Sequence, residues 1–175
     1  MALFIIIKGP SAVGKTVITR KIIKSLAQRR KMAMIPGDFL SHIVFDCPFS
    51  PKHLDLKYKN MRSMIENLTQ GGYSIIINDL FRRQEDLEGI VELAQRLDYR
   101  IVIFELTAPL HVLLSRNRKR DPLDFILPGR IKQLKQEVLG VKAVNEIEVD
   151  TAEMTIKEET DFILNQIEKI TGEKI

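Results

Sequence analysis

The chain predicts an α/β fold, an open and mostly parallel sheet with helices on both faces. Three observations carry this. Short apolar runs alternate with amphipathic segments along the whole length. The first run, residues 3–7, is apolar without a break, as a strand buried on both faces is. The residues that follow, Gly9-Pro10-Ser11-Ala12-Val13-Gly14-Lys15-Thr16, have the glycine and lysine spacing of a phosphate-binding loop set between a strand and a helix.

The elements follow in order. A helix over about 15–29 places Val17, Ile18, Ile22 and Leu26 near one face. Residues 32–35 form a second short strand, ended by Pro36-Gly37. Over 54–70, Leu54, Tyr58, Met61, Ile65 and Leu68 recur at alternating intervals of four and three, until Gly71-Gly72 stops the helix. Residues 74–77 are the third strand, 86–97 an amphipathic helix and 101–106 the fourth strand. Pro109 suits the first turn of a helix reaching about Arg118. Residues 121–128, with two prolines, read as a loop or lid tip before a helix over 130–139. Residues 146–149 form the last strand. Thr155 and Glu158 match a capping box that opens a final helix to about Ile170, ended by Gly172. No repeat, low-complexity tract or linker divides the chain, so one domain over 1–175 is expected, with a lid segment at about 109–140.

A chain of 175 residues, 45% apolar, can bury a sizeable core without a disulfide or structural metal. Its one cysteine, Cys47, lies beside Pro48 with no recognisable nucleophile context, excludes an internal disulfide and fits a reducing compartment. The apolar run at 3–7 is too short for a signal peptide, and no run approaches membrane-spanning length. A cytoplasmic enzyme without a membrane partner is expected. The net charge of +4 suits an anionic ligand such as a nucleotide and is too small to demonstrate nucleic-acid binding. His42, His53 and His111 have no metal-ligand spacing and read as surface or partly buried residues.

Ligands of such sheets bind outside the carboxyl ends of the strands, so functional residues are sought there. In the loop, Gly9 and Gly14 permit backbone angles that let successive N–H groups turn around an anion. Lys15 brings a compact positive charge to the phosphates, and the Thr16 hydroxyl can ligate Mg²⁺. Asp38, just past the second strand, can orient an acceptor hydroxyl and accept its proton, or can cap the next segment. Asp79, after Asn78 at the end of the third strand, can hold Mg²⁺ directly or through water, or can serve as a turn residue. Arg82 and Arg83 can contact an anionic acceptor or stand solvated. In the basic run 116–120, Arg116 and Arg120 share a helix face. One can stack on an adenine and the other can reach the transferred phosphate. The same run also reads as a solvated helix end, or as a nucleic-acid patch that lacks interleaved aromatics.

On these residues the chain resembles small P-loop kinases of the nucleoside-monophosphate-kinase-like fold. Within them it is most similar to the chloramphenicol-phosphotransferase and polynucleotide-5′-kinase branch. The resemblance rests on residues 9–16, Gly37-Asp38, residues 71–79, the lid helix around 113–120, and Glu148-Val149-Asp150-Thr151. It implies a three-layer P-loop NTPase fold with a five-stranded parallel sheet and a helical lid, ATP as donor, Mg²⁺, and phosphorylation of a hydroxyl. The catalytic residues it implies are Lys15, Asp38 and Arg120; the metal residues are Thr16 and Asp79. The nucleotide contacts are Gly9, Ser11, Ala12, Val13, Gly14, Lys15, Thr16, Val17, Arg116 and Thr151. Two departures stand out. No arginine follows Asp38 where polynucleotide kinases carry one, and Asn78 stands where the antibiotic kinases often have a second aspartate. The expected activity is transfer from ATP to a hydroxyl of a small-molecule or nucleoside-like acceptor. The alternatives are a polynucleotide 5′-hydroxyl kinase, a nucleoside monophosphate kinase, or a nucleotide-binding module without catalysis. A GTPase is disfavoured, because no N-K-x-D motif follows the fourth or fifth strand. The acceptor and the oligomeric state are not legible in the sequence.

Overall fold

A computed structural model describes residues 1–41 and 51–175. His42, Cys47 and Pro48, named above, lie outside the described residues. Five strands form one parallel sheet in the order β2-β3-β1-β4-β5: β1 (Leu3–Lys8), β2 (Met32–Pro36), β3 (Ser74–Asp79), β4 (Arg100–Thr107) and β5 (Ile147–Asp150). The helices are α1 (Lys15–Leu26), α2 (Gly37–Leu40), α3 (Pro51–Gln70), α4 (Gln84–Arg96), α5 (Leu110–Arg118), α6 (Pro128–Leu139) and α7 (Ile156–Thr171).

The pleat divides the core in two, because alternate side chains of a strand point to opposite faces. Phe4 and Ile6 of β1 pack with Tyr58, Met61 and Ile65 of α3 and Leu87 and Ile90 of α4. Leu3, Ile5 and Ile7 pack with Ile18 and Ile22 of α1, Leu113 of α5, Ile131 of α6, and Ile163 and Ile167 of α7. Among the described residues, no helix is long and apolar enough to cross a membrane.

Several bounds differ from expectation, each for a physical reason. The strands run further at their carboxyl ends, through Lys8, Asn78, Asp79, Thr107 and Asp150, because parallel pairing continues beyond the apolar run. Pro36 is tolerated in β2 because that strand lies at the sheet edge. Residues 37–40, to which no element was assigned from the sequence, form the helical turn α2. Val17 is 44% exposed and stands outside the packed face of α1 formed by Ile18, Ile22 and Leu26. The segment after α5 includes a 3-10 turn, Pro122–Asp124, in which the Leu123 N–H donates to the Asp121 carboxylate. Thr155 and Glu158 form the capping box, and Gly172 ends α7 in the left-handed conformation.

Candidate active site

The carboxyl end of β1 leads directly into the loop. Gly9 stands at φ 146°, and a Cβ there would come within 2.4 Å of the Leu106 carbonyl oxygen, so only glycine lets the loop pass this close to β4. Gly14 caps α1 in the left-handed region and brings no side chain to the helix's first N–H groups. The N–H groups of Lys15 and Thr16 lie at the end of the helix where the dipole favours negative charge, placed for an anion, while Val17 N–H donates to the Gly14 carbonyl. Lys15 is buried and donates to the carbonyls of Gly9 and Pro10 at 3.0 Å each, so its stem crosses the loop it follows. Burial lowers its pKa; Asp38 and Asp79 oppose that, and Arg120 and Lys57 reinforce it. Asp38, Asp79, Arg120 and Lys57 therefore all lie within electrostatic reach of the Lys15 ammonium.

Asp38 sits in the first turn of α2, half-buried. Asp79 is fully buried at the end of β3, and both its oxygens are engaged: Lys57 Nζ donates to Oδ1 at 2.6 Å and Tyr58 Oη to Oδ2 at 2.7 Å. Burial, and then the neighbouring Asp79 carboxylate, push the Tyr58 hydroxyl well above its ordinary range. Asn78, one residue earlier, donates through Nδ2 to Thr16 Oγ1 at 3.3 Å, while its buried Oδ1 has no partner among the described residues. A buried, unspent carbonyl oxygen beside a hydroxyl suits a hard cation or its bound water. Together with the uncapped start of α1, the loop fits a nucleotide phosphate chain with Mg²⁺.

On the other side of the loop, Arg116 spends its guanidinium on protein. It donates to the Val13 carbonyl at 3.2 Å, to Thr151 Oγ1 at 2.8 Å and to the Thr151 carbonyl. Thr151 in turn donates to the Thr107 carbonyl at 3.0 Å. Arg116 thus ties α5 to the loop and to the turn after β5. Ser11 and Val13 are buried, Ala12 is half-buried at φ 66°, and Thr16 and Val17 are exposed. Arg120 is exposed one residue beyond the Lys119 cap of α5. Arg83 is held by Asp55 and Asp86, and Arg82 by Glu137, so neither stands as an isolated solvated cation. A cleft of about 320 Å³ opens between Pro10, Thr107, Pro109, Lys135, Glu148 and Asp150; it borders the loop at Pro10 and excludes Lys15 and Asp38.

Two groups escaped the sequence reading. Lys57 falls between Leu54 and Met61 on the apolar stripe of α3, and a lysine on such a stripe is the signal that points to a buried partner. Glu159 shares a line on α7 with Ile163 and Ile167 and is 2% exposed.

A family model described as an AAA domain matches residues 4–138. The chain belongs to this family. An L-seryl-tRNA(Sec) kinase of Methanococcus maripaludis is 25% identical over 175 residues, which cover 98% of this AAA-domain chain and 67% of that protein. Solved structures share the fold. A gluconokinase from Sinorhizobium meliloti 1021 aligns with a TM-score of 0.74 at 14% identity, over 97% of this chain and 94% of its own. An APS kinase from Mycobacterium tuberculosis, solved with AMPPNP and APS, aligns with a TM-score of 0.72 at 14% identity, over 95% and 98%. The five-stranded parallel sheet with helices on both sides is thus a fold shared with these kinases.

Proposed function

We propose that this chain is an ATP-dependent phosphotransferase that moves the γ-phosphate of ATP to a hydroxyl of a small-molecule or nucleoside-like acceptor. The observation that carries this is the placement of Asp38: a carboxylate outside the loop, in the first turn of α2 directly after β2, within electrostatic reach of the Lys15 ammonium. Asp38, Asp79 and the two lid arginines Arg116 and Arg120 together exceed what nucleotide binding alone needs. Mg²⁺·ATP would supply the transferable phosphoryl group and offset its charge. Gly9 through Val17 hold the phosphates, with Lys15 as their cation. Thr16 Oγ1, with the unpartnered Asn78 Oδ1 beside it, would hold the Mg²⁺, and Asp79, whose two oxygens accept from Lys57 and Tyr58, would act on it through water. Asp38 accepts a hydrogen bond from the acceptor hydroxyl and takes its proton as the oxygen attacks. Arg120, on a lid spanning about 109–140, offsets charge on the transferred group, while Arg116 and Thr151 shape the nucleotide end. Of the kinase branches, the chloramphenicol-phosphotransferase and polynucleotide-5′-kinase group agrees with the position of Gly37-Asp38, and the absence of an arginine over 39–41 favours a small acceptor within it. The M. maripaludis relative's name adds a tRNA-borne seryl group to the acceptors worth screening.

The test is a labelled-ATP screen across antibiotics, nucleosides, nucleoside monophosphates, 5′-hydroxyl oligonucleotides and seryl-tRNA, followed by two variants. Asp38→Asn keeps ATP affinity and slow ATP hydrolysis and loses about a hundred-fold or more in transfer. Lys15→Ala loses both transfer and nucleotide affinity while remaining folded. Full transfer by Asp38→Asn removes Asp38 from the mechanism.

A further inference from the structure

The Lys57–Asp79–Tyr58 group is more than a buried ion pair, because of what it touches. An ideal Cβ on Gly37 would lie 2.5 Å from Asp79 Cγ and 2.6 Å from its Oδ1, so the Asp79 carboxylate is packed directly against the Gly37 backbone. Gly37 is the residue before Asp38, and both belong to α2. α2 is only four residues long and no side chain caps its start, so its own hydrogen bonds define its position poorly. The carboxylate beneath it is defined well. Lys57 and Tyr58 hold one oxygen each, at 2.6 and 2.7 Å, from consecutive positions on the 20-residue helix α3. Tyr58 is fixed in turn by stacking on Phe81, at 5.8 Å between ring centroids. Phe81, two residues past Asp79, is itself buried at φ 45°, a conformation that a bulky side chain adopts only when its surroundings impose it. Lys57 Nζ makes its hydrogen bond to Asp79 alone among the described residues and is almost inaccessible, with its side chain 4% exposed. That burial leaves it poorly placed to meet an acceptor itself.

We infer that Lys57 is a positioning residue for Asp38, acting through Asp79. α3 sets the Asp79 carboxylate, the carboxylate seats the Gly37 backbone, and that seat aims the Asp38 side chain toward the loop. The inference rests on the phosphotransferase reading for its consequence in rate, and on the packing alone for its consequence in structure. Misplacing a catalytic group by about 1 Å can cost about a hundred-fold in rate while leaving binding elsewhere intact.

The experiment uses the full chain with ADP bound, and reads the Asp38 carboxyl carbon by NMR, assigned by its loss in Asp38→Asn. Lys57→Met and Gly37→Ala are both expected to move that resonance. Gly37→Ala keeps both Lys57 and Tyr58 and strikes the Gly37–Asp79 contact directly, so it keeps the inference testable should Lys57→Met fail to fold. Lys57→Arg, which can still reach Asp79, returns the resonance toward its wild-type position. ADP affinity by calorimetry changes less than about threefold, whereas transfer to an acceptor from the screen falls at least about tenfold in Lys57→Met. An unmoved Asp38 resonance in folded Lys57→Met and Gly37→Ala overturns the inference, even if their melting temperatures fall. If the wild-type chain phosphorylates no hydroxyl at all, the phosphotransferase reading fails and the resonance still decides the role of Lys57.

Discussion

Glu159 shows what one residue can hide. It occupies a core position of α7, 2% exposed, and burial pushes its carboxyl up to about 7 while Arg116 opposes the shift. The folded chain therefore keeps a proton that the unfolded chain releases near the ordinary value of 4.5. Its contribution to stability is fully present below about pH 4.5 and is lost as pH rises through about 7. Glu159→Gln removes that loss. Its melting temperature is expected to match wild type near pH 5 and exceed it at pH 8 by about 2–4 °C, corresponding to about 1 kcal/mol. Thermal melts at the two pH values check this; equal shifts at both would place the effect in packing instead. The sequence displayed the glutamate on an apolar line but not what lies opposite. The loop residues differ, because glycine spacing and a lysine before a helix carry their geometry locally. Lys57 resembles Glu159, a charged residue on a stripe whose partner is 22 positions away.

At the scale of elements, the Arg116 side chain ties α5 to the loop. Arg116 bridges the Val13 carbonyl and both Thr151 oxygens, so it links the start of the proposed lid, the loop and the turn after β5. Arg116→Ala is expected to weaken ADP binding about tenfold, the cost of losing charge-assisted hydrogen bonds at the loop. It should also speed amide hydrogen exchange in Leu110–Arg118. Arg116→Lys should not restore either property, because an ammonium cannot reach three oxygens as a planar fork does. Unchanged affinity and exchange would show the bridge to be dispensable. Helices and strands were legible here because apolar spacing reports burial. Their ends were less so: Asp79 is polar, yet it belongs to β3 and is buried because α3 supplies a partner for each of its oxygens.

At the scale of the molecule, a second buried charge cluster ties the sheet together. Lys8, the last residue of β1, donates to the Val141 carbonyl at 2.8 Å and pairs with Glu105 of β4 and Glu146 at 3.1 Å each. Lys142 pairs with the same two glutamates. The cluster links the strand that feeds the loop to the segment between α6 and β5. Lys8→Met leaves two largely buried carboxylates short of a cation and is expected to cost about 3–5 kcal/mol, read as a lower midpoint in urea denaturation. A loss under about 1 kcal/mol would mean that Lys142 alone balances both glutamates.

What the sequence determined by itself is whatever is encoded in near neighbours. The alternation of apolar runs with amphipathic stretches required a layered α/β sheet, and residues 9–16 required a phosphate loop at its carboxyl edge, because both depend on spacing along a few turns of chain. Only the tertiary structure decided which charges meet. Asp79 was legible as a carboxylate at a strand end, but that Lys57 and Tyr58 engage both its oxygens, leaving Asn78 Oδ1 open beside Thr16, follows from α3 packing on β3. Arg116 was legible as part of a basic helix, but its partners come from positions 13 and 151. Hydrophobic burial is non-directional and averages over many residues, so pattern suffices to foresee it. A hydrogen bond or ion pair depends on two particular atoms within about 3 Å, and that separation exists only once the chain has folded.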